Sequence, residues 1–304
     1  MMKTEKKQMK FLDFFSGIGG FHTGLEKAGM KCIGYCEFDK FAQNSYKAIY
    51  DTEGLYFNND IRTIKGKDLP KADLWTFGFP CQDISIAGSQ KGIKDGTRSG
   101  LFFEVMRLLD ECEKSNNKPK WLIVENVKNL LSIDKGRGFF IVLSEMAERG
   151  YCIEWKVYNS KNYGVPQSRE RVYLVGYYGN SRARKLLPTR KENEASLRQI
   201  IPGHQTERVY DAEGISCTLM ARGSTGTGLY KVNDGQNIRI RRLTPLESWR
   251  LQGFSDAQYE AAAAVTSPSQ LHKQAGNAVT VNVVEEIGKH IIETNDFLDN
   301  LSIN

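Results

Sequence analysis

Apolar and polar positions fall into alternating blocks along the first three-fifths of the chain. Phe11 to Phe15 is a short apolar run that breaks at Ser16-Gly17-Ile18-Gly19-Gly20, predicting a strand that enters a glycine loop. Phe21, Leu25 and Ala28 then recur at helical spacing, and Gly29 stops that helix. Lys31 to Glu37 predicts the next strand and 41–49 the next helix. Asn58-Asn59-Asp60 ends a third, weaker strand, and Ala72 to Phe77 is a fourth. Phe102, Val105, Met106, Leu109 and Cys112 share one face of a helix over 99–112. Trp121 to Glu125 predicts a fifth strand and 139–149 a helix stopped by Gly150. Cys152 to Tyr158 and Arg171 to Tyr178 complete the set. Strands alternating with helices predict an α/β fold with a doubly wound, mostly parallel sheet.

The pattern fails between Leu187 and Gln236. Glycines recur there, with short β-prone pieces such as Arg208-Val209-Tyr210 and Cys217-Thr218-Leu219-Met220. A small, loop-rich second domain is expected over 187–242, between a first segment 1–186 and a return to the main domain over 243–304. In that return, Thr244 and Pro245 open a helix, Ala261 to Ala264 belongs to another, and Gly276-Asn277-Ala278-Val279 is expected to open a final helix running through His290.

Charge sharpens this division. The chain carries a net +6, and the segment from Ser181 to Arg242 alone holds twelve Lys/Arg against six Asp/Glu. The remainder is therefore neutral, and the excess in one segment suggests a polyanionic partner docking there, against a plain solvated basic loop. Hydrophobic residues at 40% and charged residues at 26% are ordinary for a globular protein. No apolar run reaches the ~18 residues that span a bilayer, and Met1 to Lys10 is basic without the apolar core of a signal peptide. The six cysteines form no Cys-x-x-Cys pair and the four histidines do not cluster. Reduced thiols, a cytoplasmic setting and no metal site are the expectation.

Ligands of open α/β sheets bind at the carboxyl ends of the strands. The glycine loop, Glu37, Asp60 and the run Gly78-Phe79-Pro80-Cys81-Gln82-Asp83-Ile84-Ser85 all fall there. Cys81 is either a small core residue or a nucleophile; glycine and proline before it and polar residues after it favour the nucleophile. Gly17, Gly19 and Gly20 do not spell the dinucleotide fingerprint, which disfavours an oxidoreductase. Glu37 sits where an acid can grip two ribose hydroxyls. Glu125 ends the fifth strand and approaches Cys81 if the fourth and fifth strands are neighbours; otherwise it is a cap or a surface acid. Arg169 and Arg171, one residue apart, would share a face of an extended chain and suit carbonyl or phosphate oxygens, or form a solvated cluster with Glu170.

These residues stand in a fixed order: Asp13 to Phe21, Glu37, Asp60-Ile61, Gly78 to Gln82, Glu125-Asn126-Val127, Gln167 to Arg171, Arg241 to Pro245 through Gln252-Gly253-Phe254, and Gly276 to Val279. In that order they closely resemble the bacterial C5-cytosine DNA methyltransferases over nearly the whole chain. Ile84 and Ala278 depart from the commoner Phe and Ser, without removing a catalytic group. The resemblance implies a Rossmann-like methyltransferase fold with a target-recognition domain. It implies S-adenosylmethionine as cofactor, with S-adenosylhomocysteine as product, and Phe15, Ile18, Gly20, Glu37, Phe38, Asp60, Ile61, Gly78, Pro80, Leu101, Asn277 and Val279 at the cofactor positions. Glu37 would hold the ribose and Asp60 the adenine amino group. It implies catalysis by Cys81, Glu125, Arg169 and Arg171 on a cytosine swung out of duplex DNA. Arg222 and the run Ser224 to Gly228, with Thr225 and Thr227, are the expected base readers; Ser85 and Arg208 are further expected DNA contacts. A monomer with no membrane attachment is expected, serving restriction-modification or phage or orphan modification, with any cognate restriction endonuclease acting independently. The competing readings are an RNA cytosine methyltransferase and a non-catalytic DNA-binding module on the same fold.

Overall fold

Strand β1 (Lys10–Phe14) is buried on both faces from Phe11 onward, and it is an interior strand of the sheet accordingly. In the computed structural model, which describes residues 8–80, 100–179, 185–189, 191–194, 196, 199–201, 209–211, 214–221, 229–233 and 238–302, β1 is flanked by β2 (Lys31–Cys36) and β4 (Leu74–Gly78). Outside them lie β3 (Tyr56–Asn58) on one side and β5 (Trp121–Val127), β7 (Glu170–Tyr178) and β6 (Tyr151–Asn159) on the other, in the order β3-β2-β1-β4-β5-β7-β6. The first five strands run parallel, and β7 is antiparallel to both of its neighbours. The strand order reverses between β1 and β4, which opens the crevice used by ligands of this architecture.

Helices cover both faces. On one, α3 (Gly100–Lys114) and α4 (Arg137–Glu148) bury Phe102, Val105, Met106 and Val142 against Trp75, Phe77, Leu122 and Leu174. On the other, α1 (Gly20–Lys27) and the last helix, α8 (Val281–Ser302), bury Phe21, Leu25, Val284 and Ile287 against Phe11, Leu74 and Ile123. Each such side chain contributes roughly 1.5–3 kcal/mol on leaving water, so the two cores fix the strand ends that carry the site. Helix α2 (Lys40–Ile49) follows β2, with the Asp39 side chain capping Phe41 and Ala42. A second sheet of β8 (Gln199–Ile201), β9 (Val209–Asp211), β10 (Leu229–Asn233) and β11 (Ile238–Arg242) follows, ordered β11-β10-β9-β8. Helices α5 (Pro245–Arg250), α6 (Asp256–Ala263) and α7 (Pro268–Asn277) then pack Trp249, Phe254 and Leu271 around Ile18 and Leu219. No helix among the described residues is long and apolar enough to cross a membrane.

Several boundaries move from the sequence reading. The first strand ends at Phe14, because Phe15 takes a left-handed backbone (φ 57°) that cannot continue it. Glu37 lies just past β2, and Asp60 lies beyond β3, capping a short turn at Ile61–Thr63. Gly276 and Asn277 do not open the last helix. They close α7, after which extended Ala278 leads to α8, starting at Val281. Helix α7 itself was not anticipated, although Ser267-Pro268 is an ordinary helix start.

Candidate active site

The crevice is a cavity of about 350 Å³ at the carboxyl ends of β1, β2, β4 and β5. Phe15, Gly17 and Ile18 line it from the glycine loop, Glu37 and Asp39 from the β2 end, and Gly78, Phe79 and Pro80 from the β4 end. Glu125, Asn126, Arg169 and Arg171 close one side, and Lys273, Gln274 and Gly276 to Ala278 close another.

Glu37 is held by the backbone around it. One carboxylate oxygen accepts the Gly17 N–H at 2.7 Å and the other the Asp39 N–H at 2.7 Å. Burial still raises its pKa above the usual carboxylate range. Phe38 projects into solvent, 69% exposed, with the Arg62 guanidinium 6.0 Å from its ring centre. Arg62 also forks onto both oxygens of Asp60, which holds the Asp60 pKa below its ordinary value. Ile61 is buried in the core and Leu101 packs against it. Gly20 and Val279 meet behind the loop: a Cβ on Gly20 would stand 2.7 Å from Val279. Phe38, Asp60, Ile61, Leu101, Gly20 and Val279 do not line the cavity, whereas Phe15, Ile18, Glu37, Gly78, Pro80 and Asn277 line it directly.

At the other end, β4 and β5 are neighbours and Gly78 is in register with Glu125. A side chain at residue 78 would begin 3.3 Å from the Glu125 carboxylate, so glycine leaves that carboxylate open toward the cavity. Glu125 is 9% exposed; Arg171 Nε stands 3.2 Å from its Oε1, yet that oxygen has no hydrogen-bond partner. Desolvation raises the Glu125 pKa, and Arg171 and Arg169 only partly offset it. Burial, helped by Arg171, pushes the Arg169 guanidinium down to about 9, which leaves it charged at neutral pH. Arg169 donates to the carbonyls of Leu219 (3.2 Å), Gly276 (3.2 Å) and Ala278 (2.9 Å). Asn126 Nδ2 donates to Phe79 O at 2.8 Å, tying β5 to the residue that follows β4. Cys81 and Ser85, like Arg208, Arg222, Ser224, Thr225 and Thr227, lie outside the described residues.

Some contacts escaped the sequence reading. Lys273 pairs with Asp39 at 2.7 Å across the cavity rim, joining α7 to the start of α2. Gln167, fully buried, accepts from Leu219 N at 3.1 Å and donates to Leu251 O at 2.8 Å. A Cβ on Gly276 would meet the Met220 backbone at 2.4 Å. Gln167, Gly276 and Leu219 all lie in runs already singled out, but nothing in their spacing says that they converge.

The arrangement is a half-buried acid at one end of the cavity and a more deeply buried acid with two arginines at the other. It can hold a polar ligand with hydroxyl groups at one end and a planar, hydrogen-bonding ring at the other. Comparison with known proteins agrees. The family described as C-5 cytosine-specific DNA methylase matches residues 9–209 and 178–293. The chain is 33% identical to the type II methyltransferase M.HhaI of Haemophilus parahaemolyticus, covering 96% of this chain and 97% of that protein. It is 35% identical to M.NgoBI of Neisseria gonorrhoeae, covering 92% of each. The fold matches an Entamoeba histolytica methyltransferase (TM-score 0.74, 19% identity, covering 95% and 99%). It also matches an S. pombe Dnmt2 methyltransferase (TM-score 0.70, 19% identity, covering 96% and 100%). The chain belongs to the C-5 cytosine-specific DNA methylase family and is a DNA (cytosine-5-)-methyltransferase.

Proposed function

We propose that this protein methylates a flipped-out cytosine in a short duplex site through a covalent bond from Cys81, with S-adenosylmethionine in the cavity. The observation that carries this is the register of Gly78 opposite Glu125: it brings the chain three residues before Cys81 to a raised-pKa carboxyl flanked by Arg171. The cavity fits the cofactor by the chemistry of its donors. Glu37, fixed from behind by two backbone N–H groups, is suited to two ribose hydroxyls; Phe15, Ile18 and Pro80 offer apolar contact. Bound there, the cofactor supplies an electrophilic methyl carbon.

C5 of cytosine is a poor nucleophile. The Cys81 thiolate adds to C6, which makes an enamine of the ring and gives C5 its nucleophilicity. Glu125 donates a hydrogen bond at N3 and takes up the developing charge; its burial favours the protonated form this needs. Arg171 holds O2. Arg169, held by three carbonyls, places the loop around Cys81. Once C5 carries the methyl group it loses its proton, the electrons return, and the sulfur–C6 bond breaks. The segment 187–242 forms the target-recognition domain, its basic side chains on phosphates and Arg222 with Ser224, Thr225 and Thr227 reading bases, assisted by Arg208 and Ser85. The relatives named above are type II methyltransferases, which supports a restriction-modification setting. Bisulfite sequencing of DNA from an expressing host tests reaction, base and site together. Protection of cytosine within one short repeated sequence is expected; protection at no sequence, with active expressed protein, overturns the reading.

A further inference from the structure

We infer that Tyr50, which does not line the cavity, positions the glycine loop that receives the cofactor, as the last link of a hydrogen-bond relay starting in helix α6. The inference rests on the cofactor reading just given.

The loop is anchored on two sides. Glu37 holds the Gly17 N–H on one side. On the other, Tyr50 Oη donates to the Gly19 carbonyl at 2.7 Å, with the Ile18 carbonyl at 3.2 Å. Gly19 has φ +81°, and the Tyr50 ring occupies the space where a side chain at residue 19 would begin, 2.4 Å from that point. The same carbonyl accepts the Thr23 N–H at 2.9 Å, so Tyr50 acts on the first turn of α1 as well. The ring cannot swing freely. His22 stacks on it at 3.9 Å and 9°, and is itself pinned by Tyr46 at 2.6 Å and Glu26 at 3.0 Å.

The direction of the relay is fixed at both ends. Gln258 Oε1 accepts from Ser255 N in the capping box of α6, which turns Gln258 Nε2 toward Thr23 Oγ1 at 2.8 Å. An amide nitrogen only donates and a carbonyl only accepts. Thr23 therefore accepts from Gln258 and donates to Tyr50 Oη at 2.6 Å, and Tyr50 donates to Gly19. Helix α6 follows the recognition sheet in the chain, so the packing of that end of the molecule bears on the shape of the cofactor loop.

The test measures S-adenosylhomocysteine binding by calorimetry and amide hydrogen exchange at residues 18–20 in the ligand-free protein. Tyr50→Phe keeps the ring and removes the donor; the loss of one hydrogen bond predicts cofactor binding about five-fold weaker. Faster exchange at 18–20, unchanged DNA affinity and a retained thermal transition should accompany it. Thr23→Val should move both readouts the same way, and the double variant should be no weaker than Tyr50→Phe alone. Unchanged binding and exchange in Tyr50→Phe overturns the inference, and so do losses that simply add in the double variant. If the wild-type protein binds no S-adenosylhomocysteine, the cofactor reading fails, and exchange at 18–20 still decides the role of Tyr50.

Discussion

Glu125 combines burial, an unbonded carboxylate oxygen and an arginine 3.2 Å away. Burial favours its protonated form, and the mechanism proposed above needs that form to donate to the base. Methyl transfer should therefore fall as pH rises through the raised pKa. Glu125→Gln should lower kcat by about 10²–10⁴-fold and erase that alkaline limb, read from single-turnover rates across pH. An unchanged limb would assign it elsewhere. Asp13 is a second buried acid whose pKa is raised, for a structural reason. It is fully buried on β1, Thr76 donates to one oxygen at 2.9 Å, and desolvation raises its pKa from 3.8 to about 8. The folded state then binds the proton more tightly than the unfolded chain. Its stabilisation is full below about pH 4 and is lost as pH rises through about 8. Asp13→Asn should flatten the stability–pH curve over that window, measured by denaturant unfolding; a curve parallel to wild type would show that Asp13 is charged. That Glu37, Gly78, Glu125, Arg169 and Arg171 would gather at strand ends was legible in the sequence, because polar groups there come in short recognisable runs. Their partners were not: Arg169 on three carbonyls and Lys273 on Asp39 are set by segments more than forty residues apart, a separation no local pattern encodes.

Among the elements, β1, β2, β4, β5 and the helices between them followed directly from apolar periodicity, because each buries apolar positions in a regular pattern. The end of β1 and the end of α7 did not, since both depend on backbone choices made by tertiary contacts. Phe15 turns left-handed to enter the cavity wall, and Gly276 stays helical while the Met220 backbone crosses it. That crossing yields a prediction. Gly276→Ala would place a methyl group 2.4 Å from Met220, too close to absorb without a shift. A cost of about 1–3 kcal/mol is expected in denaturant unfolding. Because Arg169 bonds to the Gly276 carbonyl, weaker discrimination between target and non-target DNA should follow as well. A variant as stable and as selective as wild type would show that the two backbones do not meet there.

For the molecule as a whole, the doubly wound sheet builds a chemical site, and the basic excess lies in the segment that follows its last strand. Exchange of 187–242 for the corresponding segment of a relative should move methylation to the relative's sequence, read by bisulfite sequencing. An unmoved site would place recognition in the main domain. The division at 187 is an expectation from charge and glycine spacing, and the four-stranded sheet over 199–242 could not be read there, its strands being only three to five residues long. The most direct measurement uses the mapped site with fluorine on C5 of its target cytosine, incubated with S-adenosylmethionine. Fluorine cannot leave as a proton does, so the ring should stay bound to the protein, and peptide mass spectrometry should find it on Cys81. Turnover or binding with no covalent complex, or a complex on any other residue, would contradict a reaction that runs through that thiolate.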